Sequence, residues 1–173
     1  MLKYSTYDVV FQEVPDEVSL AITITNCPHR CPGCHSPHLH ADVGTPLTLS
    51  ELQRLVGRYQ DNVTCVCIMG GDADPLAVEE AARAVHQCST LKVAWYSGGE
   101  QMPADIHQFQ YVKLGPYRAQ QGPLKSPSTN QRMYRIDNGI PTDITYRFWH
   151  NPFDDDALQS VSKNKLADTT ALR

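Results

Sequence analysis

Three short apolar segments of this chain each stop at a loop rich in glycine or cysteine, and helical patterns separate them. That alternation narrows the folds open to it. Residues 18–25 (VSLAITIT) alternate and are rich in β-branched side chains, which predicts a strand. The strand runs into a Pro- and Cys-rich loop over 26–40. Thr48 or Ser50 can cap a helix in which Leu52, Leu55 and Val56 recur at helical spacing. Residues 63–69 (VTCVCIM) predict a buried parallel strand, broken by Gly70-Gly71-Asp72. A second helix follows, with Pro75 in its first turn and Ala77, Ala81, Ala84, Val85 and Cys88 expected on its apolar face. Residues 91–96 form the next strand, stopped by Ser97-Gly98-Gly99; a short helix is expected near Pro103, and 109–114 make a further strand ended by Gly115-Pro116.

At least three successive strand–loop–helix units imply an α/β fold with a parallel sheet. A complete eight-unit barrel takes about 250 residues, and this chain has 173. An incomplete β/α barrel with a curved parallel sheet, or an open parallel sheet, fits that length. Either places the functional loops at the C-terminal ends of the strands, where the Cys-rich and Gly-rich loops fall. Residues 122–130 read as a long polar loop and 133–136 as a last strand. One domain over 1–150 is expected, followed by a polar, loosely packed tail over 151–173.

The cysteines carry the chemical information. No apolar run approaches a membrane span, the N-terminus lacks a secretory stretch, and a net charge of −4 without a basic block argues against nucleic acid. A cytoplasmic protein is expected, and in a reducing compartment clustered cysteines point to metal or catalysis rather than disulfides. Cys27, Cys31 and Cys34 have the spacing C-x3-C-x2-C. Three thiolates on a four-iron cubane leave one iron open to bind a substrate directly. A Cys3His zinc site drawing on His29, His35, His38 or His40 competes with this assignment, although no second short ligand step is evident. A four-thiolate cluster recruiting Cys65, Cys67 or Cys88 also competes. These three sit in a strand and on a helix face, where cysteine serves as a small hydrophobe. His29 and Arg30, between the first two ligands, read as exposed.

The wider text resembles a known family. The C-x3-C-x2-C loop directly after the first core strand is similar to the signature of radical S-adenosylmethionine enzymes. Cys27-Pro28-His29-Arg30-Cys31-Pro32-Gly33-Cys34-His35 resembles, more narrowly, the activating proteins of anaerobic ribonucleoside-triphosphate reductase. Met69-Gly70-Gly71-Asp72 resembles their Gly-Gly-Asp/Glu motif, Ala94-Trp95-Tyr96-Ser97-Gly98 their Trp-x-Gly strand end, and Ser128-Thr129-Asn130-Gln131 a late Ser-Asn-Gln segment. The similarity spans roughly residues 5 to 137. Gly33 stands where many radical S-adenosylmethionine enzymes carry an aromatic residue. The family's Gly-Gly-Asp-Pro is stretched to Gly70-Gly71-Asp72-Ala73-Asp74-Pro75, which leaves Asp72 and Asp74 both open as the functional carboxylate.

The resemblance implies a partial barrel of the radical S-adenosylmethionine type. It implies a [4Fe–4S] cluster on Cys27, Cys31 and Cys34, and S-adenosylmethionine contacted by Gly33, Cys34, His35, Gly70, Gly71, Asp72 and Ser97. The activity would be hydrogen abstraction from a glycine of the reductase, with an electron donor such as a flavodoxin as second partner. The alternatives are action on another glycyl-radical protein or a small molecule, and a zinc-stabilised binding module. Gly71 is expected to matter more for cofactor binding than for folding, because a Cβ there would intrude on the ligand.

Overall fold

The computed structural model describes residues 1–149, so the tail expected over 151–173, and the last residue of the domain expected over 1–150, lie outside the described residues. In chain order the elements are β1 (Lys3–Val10), β2 (Ser19–Ile24), β3 (Thr45–Pro46), α1 (Leu49–Tyr59), β4 (Cys65–Met69), α2 (Pro75–Cys88), β5 (Lys92–Tyr96), β6 (Tyr111–Leu114), β7 (Arg132–Asp137) and β8 (Ile140–Asp143). Short 3-10 turns cover Pro37–His40, Ile106–Gln108 and Thr145–Phe148.

All eight strands join one open sheet in the order β3-β1-β2-β4-β5-β6-β7-β8. The four central strands, β2, β4, β5 and β6, are parallel, and each flanking pair is antiparallel. Parallel neighbours require a crossover; α1 and α2 make the first two, and the third contains only the turn Ile106–Gln108. The fold is therefore α/β, as the alternation implied, but the sheet is mixed rather than wholly parallel. The expected last strand, 133–136, lies within β7 and pairs antiparallel with β6. The N-terminal strand β1, which the sequence reading did not single out, adds an antiparallel flank beside β2.

Alternation along the parallel strands sorts their side chains onto two faces. The register aligns Ile22, Ile68, Trp95 and Val112 across the four strands. This row and its same-face neighbours pack against Leu52, Leu55 and Val56 of α1 and Val78, Ala82 and Val85 of α2. Each fully buried Leu or Val there contributes roughly 1.5–3 kcal/mol. Trp95 stacks on Phe109, with ring centroids 6.0 Å apart. The opposite face carries a smaller apolar cluster of Val14, Cys65, Cys67, Ala94, Tyr111, Met133 and Ile144. Both α-helices thus cover the same face.

Helix ends follow side-chain chemistry. Thr48, not Ser50, caps α1, its hydroxyl accepting from the Glu51 amide at 3.2 Å. Asp74 caps α2, accepting from the Ala77 amide at 3.2 Å, with Pro75 opening the first turn. The buried stripe of α2 is Val78, Ala82, Ala84 and Val85, with Ala77 and Ala81 packed at its margin. Cys88, expected on that apolar face, is exposed at the helix end. No helix among the described residues is long and apolar enough to cross a membrane.

The turn from β4 into α2 depends on glycine. Gly70 and Gly71 have φ of +98° and +95°, a region L side chains rarely adopt. A Cβ on Gly71 would sit 2.5 Å from Val78 Cγ2 and 3.5 Å from Leu2 Cδ2, inside the helix-face core. Gly71 was expected to matter more for binding than for folding; its missing side chain faces the core, which gives it a role in folding. Gly71→Val should lower stability by about 2–4 kcal/mol, through strain and overpacking together. A urea titration of the metal-free protein measures this, and an unchanged midpoint would return Gly71 to a binding role alone.

Candidate functional site

The C-terminal ends of β2, β4, β5 and β6 lie side by side, so the loops that follow them must meet at one edge of the sheet. After β2 comes the cysteine loop. It is tied at its base by the Asn26 amide donating to Ala41 O (3.1 Å) and the Cys27 amide to Leu39 O (2.9 Å). Inside it the Cys34 amide donates to Cys31 O at 3.0 Å, and the Ser36 amide donates to Cys34 Sγ at 3.3 Å. Left-handed joints at Asn26, Arg30 and Gly33 (φ +62°, +46°, +75°) reverse the chain between ligands. Cys27, Cys31 and Cys34 are free thiols, each partly exposed.

After β4, Gly70 is committed to the sheet: its amide donates to Tyr96 O at 2.8 Å and its carbonyl accepts from Trp95 Nε1 at 2.9 Å. The chain then delivers Asp72, whose side chain is only 8% exposed. Ser97, buried at the end of β5, donates its hydroxyl to Asp72 Oδ1, and the Gly98 amide donates to Asp72 Oδ2 at 3.2 Å. The Gly99 amide donates to Ser97 Oγ at 2.8 Å, fixing that hydroxyl's direction. The two carboxylates of the stretched motif are placed apart. Asp72 reaches the strand-end site, while Asp74 is occupied with the α2 cap and the N-terminal ammonium at 3.1 Å.

Two side chains complete the arrangement that sequence reasoning did not assign to it. His29, exposed as that reading expected, nonetheless places Nε2 3.5 Å from Asp72 Oδ1 and its ring over Gly98. Lys113 of β6 points to the helix-free face and is 8% exposed, donating to Gly115 O at 2.7 Å and Ser97 O at 3.3 Å. Burial pushes its pKa down to about 8, while Asp72 and Cys31 pull the other way. One signal for Lys113 was available: a lysine inside the otherwise apolar run Tyr-Val-Lys-Leu.

The remaining expected residues are placed as follows. His35 meets Tyr117 edge-on, with centroids 5.1 Å apart. A Cβ on Gly33 would lie 3.7 Å from Tyr117 and 3.9 Å from Ala119, so the segment after β6 flanks this side of the cysteine loop. The late loop closes behind it: Asn130 Nδ2 donates to Pro116 O at 2.9 Å, and Thr129 and Gln131 are buried. A cavity of about 550 Å³ lies elsewhere, between α1 and α2, lined by residues such as Leu2, Leu47, Leu52 and Ala81.

Whether these residues suit an iron–sulfur cluster turns on donor chemistry. Three accessible soft thiols on one loop match it, and the Ser36 amide on Cys34 Sγ is the contact a thiolate favours. Among the described residues no group of three or more His, Cys, Asp and Glu side chains is gathered closely enough to hold a metal. Ligation therefore calls for the thiols to turn toward a common point within the loop.

The Lys113 environment has a pH signature. Its folded pKa lies below the ordinary lysine value of 10.5, so burial of the charged form costs stability at neutral pH. As pH rises from about 8 to 10.5 the folded protein releases this proton first, and the cost is relieved. The stability of the wild type relative to Lys113→Met should therefore climb across that window by up to about 3 kcal/mol. Cys65, pushed up to about 12 by burial, and Cys67, also raised, weaken both proteins as pH rises above 9, so they cancel in the difference. Chemical denaturation at three pH values measures it; a flat difference would refute the buried charge.

No family model, curated protein or solved structure matches the chain.

Proposed function

We propose that the chain is a radical S-adenosylmethionine enzyme that installs a glycyl radical on anaerobic ribonucleoside-triphosphate reductase, built as a partial β/α barrel of that enzyme type. The observation that carries this reading is the meeting of Asp72, Ser97 and Gly98 with the cysteine loop at adjoining strand ends. The first three motifs on which the resemblance rests spread over 71 residues, from Cys27 to Gly98, yet fall at one edge of the sheet.

Cys27, Cys31 and Cys34 would hold the [4Fe–4S] cluster, which when bound supplies the electron that cleaves S-adenosylmethionine. The protein's contribution is binding and orientation. Asp72, held by fixed donors, is suited to accept the ammonium of the cofactor's methionine end. Ser97 and the Gly98 amide aim that carboxylate, and Lys113 places a positive charge nearby to balance it. Gly33, Cys34 and His35 flank the site on the side of Tyr117, and the Gly70-Gly71 turn carries the chain from β4 to Asp72.

Neither α1 nor α2 covers this face, on which only short segments around Val14 and Ile144–Phe148 pack among the described residues. A large partner could supply the missing wall, which suits a glycine loop of the reductase entering from solvent. A cytoplasmic setting and a flavodoxin-like electron donor belong to the same proposal.

The test is anaerobic reconstitution with iron and sulfide. Serine at Cys27, Cys31 or Cys34 should abolish the cluster signal in electron paramagnetic resonance and all cofactor cleavage. Serine at Cys65 or Cys67 should keep the signal and cost stability on the order of 1–2 kcal/mol. With the reductase and a reductant present, the wild type should give a glycine-centred radical. A folded Cys67→Ser variant lacking the cluster, or fast turnover of a small molecule without a protein partner, would sink the proposal.

A further inference from the structure

Gly98 poses a question that backbone geometry does not answer. Its φ lies outside the left-handed region, unlike that of Gly70 or Gly71, so φ does not bar an L residue there. What excludes a side chain is the histidine of the cysteine loop. A Cβ on Gly98 would sit 2.5 Å from His29 Cδ2, 3.0 Å from Nε2 and 3.2 Å from Cγ. The ring of His29 occupies the place where a side chain at 98 would be, and the same ring faces Asp72 Oδ1 at 3.5 Å.

We infer that His29 is a positioning residue: seated on Gly98 and against Asp72, it pins the cysteine loop to the ends of β4 and β5 before any cofactor is present. This rests on the reading of that loop as the ligand-bearing one. The loop needs such a pin for a physical reason. Its base is closed by backbone hydrogen bonds of Asn26 and Cys27, but Arg30 and Gly33 are left-handed joints in its outer part. Beside the packing of Gly33 and His35 near Tyr117 and Ala119, the His29 ring connects that outer part to the sheet. Asp72 is held from the other side by Ser97 and Gly98, so it presents a fixed surface to the ring. Fixing one anchor shortens the conformational search the thiols make when they converge on a metal.

The chain carries its own controls. Cys88 is exposed and reports intrinsic reagent reactivity, while Cys65 and Cys67 are fully buried and report global opening. The experiment is thiol alkylation of the metal-free full-length protein under reducing conditions, resolved site by site by mass spectrometry, for wild type, His29→Ala, Gly98→Ala and the double variant. Neither cluster nor S-adenosylmethionine takes part, so failure of the proposed function leaves the result readable. Both single variants should raise the alkylation rates of Cys27, Cys31 and Cys34 roughly five-fold through easier local opening, with Cys65, Cys67 and Cys88 unchanged. Because Gly98→Ala acts only through the ring, the double variant should match His29→Ala instead of multiplying the two effects. His29→Gln, which keeps a polar group facing Asp72, should fall between wild type and His29→Ala. Unchanged loop rates in the single variants, multiplicative effects in the double variant, or a parallel rise at Cys65 and Cys67 would each overturn the inference.

Discussion

A carboxylate that is nearly withdrawn from water has to be matched by fixed donors, or its desolvation cost stands against the fold. Asp72 meets this condition with groups from outside its own loop: the Ser97 hydroxyl, the Gly98 amide and, at longer range, the buried Lys113 ammonium. Those groups come from the ends of β5 and β6, and the His29 ring reaches in from the loop after β2. The same interaction that makes Asp72 tolerable therefore sets the relative placement of four chain segments. Removing any one donor would leave the others facing an underpaired charge.

The parallel centre of the sheet makes that meeting possible. Two helical crossovers and one short turn bring β2, β4, β5 and β6 into register, so that Ile22, Ile68, Trp95 and Val112 share a row. Both α-helices pack on one face of this sheet, and the site sits at the rim of the other. The division follows from alternation: Val112 and Leu114 anchor β6 to the helices, which turns Lys113 toward the helix-free side. A lysine there is costly unless its ammonium finds acceptors. The carbonyls of Ser97 and Gly115 provide them, and in doing so tie the β5 and β6 loops together.

Much of this was legible in the residues. The central strands, both helices and the loop positions follow from apolar runs punctuated by glycine, because local patterns encode them directly. The antiparallel flanks do not, since β1 and β7 have no local signal for their partner or direction; only the space left beside β2 and β6 decides it. Cys88 was misassigned because helical spacing alone does not say where the apolar stripe ends, and Val78 and Ala82 carry that stripe instead. Asp72 could be separated from Asp74 only once the α2 cap was visible, since both are acidic residues just after a glycine pair. His29 was unreadable for a deeper reason: its significance depends on Gly98, remote in sequence, lacking a side chain.

The six cysteines show how one residue type is divided by the fold into two chemistries. Cys65 and Cys67 alternate with Val66 and Ile68 along β4, so both face the cluster of Val14, Tyr111 and Met133 away from the helices. Desolvation raises their thiol pKa values and keeps them protonated, which removes the thiolate that a metal or an alkylating agent needs. Cys27, Cys31 and Cys34 sit on a loop whose joints expose them to solvent. A strand that carried its cysteines one residue out of register would place them against the helices instead, equally buried. Their separation from the loop thiols therefore does not depend on which face they take. It depends on their being inside the sheet at all, while the ligand loop begins only after β2 has ended.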